Sequence, residues 1–119
     1  MQPSLFERCG GFAQVRRVVS AFYERLLDSP TLCHHFDGID MSRLVDHQTK
    51  FVAMAMNGPA AVSDEALRRA HAHLGISAID FRETARLLRE TLEEFGLAAA
   101  DVATVMGAVE RREALIVTR

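Results

Sequence analysis

Residues 77–96 read SAIDFRETARLLRETLEEFG. Phe81, Ala85, Leu88, Leu92 and Phe95 recur there at intervals of three and four, which puts them on one stripe of an α-helix. A half-buried strand would need its apolar residues at every second position instead. Ser77, three residues before Asp80, fits the capping box that opens such a helix, and Gly96 stands where it should stop.

The same period runs outward in both directions. Downstream, a last helix from about Ala99 turns Val102, Val105, Met106, Val109 and Ile116 inward. Upstream, Ser63 or Asp64 caps a short helix through Leu67, Ala70 and His71, ended by Gly75. Before that, Asp40 caps a helix running to about Met56, where Asn57-Gly58-Pro59 terminates it. Val15, Val18, Val19, Phe22 and Leu26 form one face of a helix from Gly11 to Leu27, stopped by Asp28-Ser29-Pro30. A short turn of helix at Thr31–Phe36 ends in Asp37-Gly38. No segment reads as a strand. The expected fold is all-α, with four substantial helices and short pieces between them.

With 119 residues and 49% hydrophobic content, the chain is sized for one domain, residues 1–119, with a real core. Charged residues make up 25%, an ordinary soluble surface. Net charge is −2 and no basic stripe exists, which argues against nucleic acid as a partner. No apolar run approaches the ~20 residues that cross a bilayer, so no membrane role is expected either. The opening MQPSLFERCGG carries acid and base ahead of any apolar run, unlike a signal peptide. Cys9 and Cys33 match no metal-ligand spacing and read as reduced, space-filling thiols, so the expected location is cytoplasmic.

Function should show where polar groups point inward. Gln48 lies between Leu44 and Phe51–Val52 on the apolar stripe of its helix, and His47 falls at the stripe's edge. Tyr23, four residues after Val19, turns its ring inside, so its hydroxyl needs a partner. Each has a plain explanation when taken alone: a backbone carbonyl for the tyrosine, solvent for the glutamine and the histidine. His71 and His73 stand two apart, on different faces, and His34 and His35 also diverge, so no pair can grip one metal ion. A lone histidine is ordinarily structural, and spacing alone does not single out His71.

Taken in order, these residues resemble the truncated, or two-over-two, haemoglobins, group I in particular. The likeness begins at Leu5-Phe6-Glu7-Arg8-Cys9-Gly10-Gly11 and covers nearly the whole chain. Phe22-Tyr23-Glu24-Arg25 is similar to the segment that sets the family's distal tyrosine. Phe36, before Asp37-Gly38, matches the phenylalanine that wedges against the haem. Met41-Ser42-Arg43-Leu44 through Gln48 and Phe51 resembles the distal helix, and Asn57-Gly58-Pro59 the glycine-rich end of it. Ala70-His71-Ala72-His73-Leu74-Gly75-Ile76 resembles the proximal segment, and Phe81 falls where the next helix meets the haem.

The resemblance implies haem b (iron protoporphyrin IX), with His71 as proximal iron ligand and His73 turned outward. Phe22, Phe36, Leu44, Phe51 and Leu67 would line an apolar slot for it, with Leu74, Ile76, Phe81, Met106 and Val109. Tyr23 and Gln48 would donate to the negative charge that builds on bound O2. The function implied is binding of O2, NO, CO or similar gases, for oxygen transport or, with a reductase, nitric oxide dioxygenation. In some relatives a histidine placed like His47 binds the iron as sixth ligand, which implies an alternative bis-histidyl protein of electron transfer or reactive-nitrogen detoxification. A further alternative is a helical interaction module without haem. The sequence departs from the pattern at Asn57, where a glycine is usual, and at Val52, where a smaller side chain than phenylalanine would widen an apolar route to the distal side. It also has no histidine beyond His73 for a covalent link to a haem vinyl group.

Overall fold

Local chemistry sets most helix ends in the structure, a computed structural model that describes residues 3–119. A short α1 (Leu5–Cys9) precedes α2 (Gly11–Asp28), and a 3-10 turn spans Cys33–Phe36. Then come α3 (Met41–Ala55), α4 (Asp64–His71), α5 (Ala78–Glu94), α6 (Ala99–Glu110) and α7 (Glu113–Ile116). Asp40 caps α3 by accepting from the Arg43 N–H at 3.2 Å. Ser63, rather than Asp64, caps α4 through the Ala66 N–H at 3.1 Å. Ser77 caps α5 through the Asp80 N–H, also at 3.1 Å. The box at Ser77 is only half made: the Asp80 carboxylate bonds His35 Nε2 at 3.0 Å, tying the 3-10 turn to α5.

The long helices pack pair on pair. α2 lies against both α3 and α5, and α6 lies against both α5 and α3, so the four close around one apolar centre. Val15, Val18, Val19, Leu92, Val102 and Val105 are fully or almost fully withdrawn from solvent there. This is the all-α, two-over-two sandwich expected from the apolar spacing and the resemblance. Outside the sandwich, α1 is fastened to the end of α3 by the Phe6 N–H donating to the Met56 carbonyl at 3.0 Å. Cys9 packs against the core, and burial pushes its thiol up from the ordinary range.

Two expectations fail locally. Phe95 is exposed rather than on the stripe of α5, because the helix has ended at Glu94 and the chain is already turning towards Gly96 at φ +85°. In its place α5 buries Leu87 and Thr91 beside Leu88 and Leu92, a broader band that serves both α2 and α6. The last helix also breaks. The Arg112 N–H reaches back only three residues, to the Val109 carbonyl at 3.0 Å, and the chain restarts as α7. Ile116 therefore leaves the α6 stripe and sits half-buried on α7, which packs against α4. Among the described residues no helix is long and apolar enough to cross a membrane.

Candidate functional site

α2 is buried on two sides, so neighbouring positions on it can both point inward. Phe22 and Tyr23 do so, with ring centroids 5.1 Å apart. The half-buried Phe36, delivered by the 3-10 turn, meets Tyr23 edge-on at 5.7 Å and 85°. Burial pushes the Tyr23 hydroxyl well above the ordinary phenol range, and the Gln48 side chain pulls the other way. The phenol thus stays protonated, a hydrogen-bond donor held in apolar surroundings.

On α3, Leu44 and Gln48 are half-buried one turn apart, Phe51 and Val52 are buried, and His47 is exposed. The fully inward face of this helix lies slightly to one side of the expected stripe, through Val45, Thr49 and Val52. Thr49 was not among the sequence candidates. Its hydroxyl donates to the Val45 carbonyl at 2.7 Å, so it is satisfied within its own helix.

His71 occupies the last turn of α4. Its Nδ1 lies 2.7 Å from the Leu67 carbonyl oxygen, which can only accept, so Nδ1 carries the proton and Nε2 keeps its lone pair. Leu67 itself is buried, His73 is exposed, and Leu74 and Ile76 are half-buried on the loop that follows. Phe81 and Met106 are buried and Val109 is half-buried. The sequence candidates thus form a Tyr23 group with Phe22, Phe36 and Gln48, and a His71 group with Leu67. No hydrogen bond or ring contact joins the two groups among the described residues.

Arg112 is the side chain that sequence reasoning missed. Its guanidinium carbon lies 5.5 Å from the centroid of Phe51. Its Nη1 donates to the Ala108 carbonyl at 2.7 Å, and its Nε, buried without a hydrogen-bond partner, lies 3.8 Å from Asp64. Next to Arg111, at the end of an apolar helix, it reads in the sequence as an ordinary surface charge.

The bacterial-like globin family matches this chain over residues 4–117. Over 112 residues it is 34% identical to the group 1 truncated hemoglobin GlbN of Synechocystis, covering 88% of this chain and 90% of that protein. The chain belongs to the group 1 truncated haemoglobins. GlbN of Mycolicibacterium paratuberculosis, a second member, is 31% identical over 106 residues, 89% of this chain and 78% of the relative. Among solved structures, the truncated hemoglobin of Tetrahymena pyriformis in its Fe(III) form superposes with a TM-score of 0.87. It covers 98% of this chain and 100% of that one, at 23% identity, a likeness of fold. The 2/2 hemoglobin of a Synechococcus species, in the cyanomet state with covalently attached heme, superposes at 0.82 with 27% identity, over 96% and 98% of the two chains.

A truncated haemoglobin is a haem protein, and globins bind small diatomic ligands such as O2. The residues present fit that group. Among the described residues no three His, Cys, Asp or Glu side chains converge on a metal position, so a bare ion finds no cage. An iron carried by a porphyrin needs only one imidazole from the protein, and His71 offers an Nε2 lone pair with its tautomer already set. Phe36, Leu44, Leu74, Ile76 and Val109 are apolar side chains that the polypeptide itself leaves half-buried, as the walls of a slot for a flat apolar ring should be.

Proposed function

We propose that this truncated haemoglobin holds haem b from His71, binds O2, and uses it to convert nitric oxide to nitrate. The observation that carries the reading is the Tyr23 hydroxyl, buried beside Phe22 and Phe36 and kept protonated, with Gln48 as its polar neighbour. Bound haem iron would supply the gas-binding position and the one electron that the reaction NO + O2 + e⁻ → NO3⁻ consumes, and a reductase would return that electron.

The chain's own residues do the rest. Tyr23 donates to the oxygen atom on which negative charge gathers, and Gln48 orients that donor or adds a second one. A hydrogen bond to a charged acceptor is worth about 1.5–3 kcal/mol, roughly one to two decades in a dissociation rate. Phe22, Phe36, Leu44 and Phe51 keep water from competing for the same donor. Leu67 fixes the His71 tautomer through its carbonyl, so the imidazole presents Nε2. Two unpaired thiols, Cys9 and Cys33, suit a reducing cytoplasm.

Stopped-flow displacement of O2 from the ferrous protein tests the assignment. Tyr23→Phe should speed O2 release by about one to two decades, and wild-type oxygenated protein mixed with nitric oxide should yield one nitrate per haem. An unchanged release rate removes Tyr23 from the site. Absence of nitrate leaves an O2 carrier and discards the dioxygenase reading.

A further inference from the structure

The segment that carries His71 has little anchorage of its own. α4 spans eight residues, Asp64–His71, and Leu67 is its one buried side chain. A helix that short does not hold its shape alone in water. Residues 72–77 then run through a turn in which Gly75 takes φ +64°. An imidazole that is to carry an iron must nevertheless be held to a fraction of an ångström.

Support comes from a part of the chain forty residues away, after the break that follows α6. Arg112 sets Nε 3.8 Å from Asp64 Oδ1, at the first residue of α4. The same guanidinium is fixed by the Ala108 carbonyl at 2.7 Å and by the face of Phe51 on α3. α7 then packs against α4. At the far end the Thr118 N–H donates to the Ile76 carbonyl at 2.9 Å, immediately before the Ser77 cap of α5. One stretch, residues 112–118, therefore grips the proximal segment at both of its ends.

We propose that residues 112–118 act as a strap that sets where His71 stands, with Arg112 as its positioning residue. This rests on reading His71 as the iron ligand. With either clamp released, α4 can pivot about Leu67 and the imidazole samples more orientations. The iron–histidine bond then weakens on average, while Tyr23 and Gln48, on α2 and α3, are left in place. Arg112 also links the two sides, since the group that reaches Asp64 on α4 rests on Phe51 of α3.

The test uses the full-length haem-loaded protein and two independent variants. Arg112→Gln removes the charge and the fork of donors. Thr118→Pro removes the N–H, and Val117, at φ −74° and ψ 121°, already has backbone that tolerates a following proline. Both should shift or broaden the iron–histidine stretching band of the unliganded ferrous form, read by resonance Raman. Both should also speed hemin transfer to an excess apo-acceptor by about threefold to tenfold, the equivalent of one hydrogen bond. Arg112→Lys should lie nearer to wild type. Asp64→Asn should move both readouts in the same direction but less far, since Arg112 keeps Ala108 and Phe51, and adding it to Arg112→Gln should change nothing further. If the band disappears in His71→Ala but neither it nor hemin loss moves in the strap variants, with only the melting temperature lowered, the strap is merely structural and the proposal is overturned. A band that survives His71→Ala overturns the ligand assignment, and the strap's role with it.

Discussion

A methyl group on Gly58 would lie 2.5 Å from Cγ and 2.6 Å from Cδ1 of Phe6, and 3.0 Å from the Ala53 carbonyl oxygen. Neither neighbour can yield cheaply: one is the root of a buried ring that meets Phe12 edge-on at 4.8 Å, and the other is helix backbone. Gly58→Ala should therefore cost about 1–3 kcal/mol of stability by overpacking, read as a lower urea midpoint at unchanged slope. An unchanged midpoint would mean that α1 lifts away freely. At this scale the sequence was informative wherever a residue type disagreed with its surroundings. A tyrosine and a glutamine on apolar stripes stood out, and both are inward or half-inward. His71 did not stand out, because what distinguishes it physically is the ring orientation that puts Nδ1 on the Leu67 carbonyl. Spacing supplies that carbonyl to any helical histidine and says nothing about which way the ring turns. Arg112 was invisible for the opposite reason: a charged residue at a helix end is where charges are expected, and only packing draws it over Phe51.

Helices here are fixed by their ends as much as by their stripes. The Ser77 hydroxyl accepts from the Asp80 N–H, one of the donors that the first turn of α5 would otherwise leave without a partner. Ser77→Ala should lower stability by about 1 kcal/mol, measured by thermal unfolding, with the helical content of the folded state unchanged. A loss no greater than that of an exposed mid-helix substitution such as Arg89→Ala would show that the cap is redundant. Such caps explain why element boundaries were legible: Asp40, Ser63 and Ser77 each precede a helix and each bonds the N–H three residues on. Packing geometry, not chain chemistry, decides the features that were not legible. The stripe on α5 is widened to Leu87 and Thr91 because two helices lie against it. The break after α6 has no glycine or proline to announce it, only a tightened turn at Arg112 and a partner, α4, for the piece beyond.

Across the whole molecule the four long helices close around a centre that is almost wholly apolar, and Tyr23 brings an ionisable group into it. Burial raises the Tyr23 phenol above its ordinary value, so the folded state favours the protonated form. Below about pH 10 the unfolded chain is protonated as well, and this contribution to stability is fully present. As pH rises further, the unfolded chain releases the proton while the folded chain keeps it, so the unfolded state binds fewer protons and stability falls. The slope approaches about 1.4 kcal/mol per pH unit for this one group. Tyr23→Phe lacks the group and should show a shallower decline above about pH 10, with the two proteins running parallel below it. Urea unfolding across that range gives the comparison. Because Tyr23 is the only tyrosine of a chain without tryptophan, its phenolate absorbance reports one site alone. That absorbance should appear together with unfolding. If it instead develops at the ordinary phenol midpoint in a chain that remains folded, Tyr23 is open to water, and the protonated donor on which the oxygen chemistry depends is not protected by the fold.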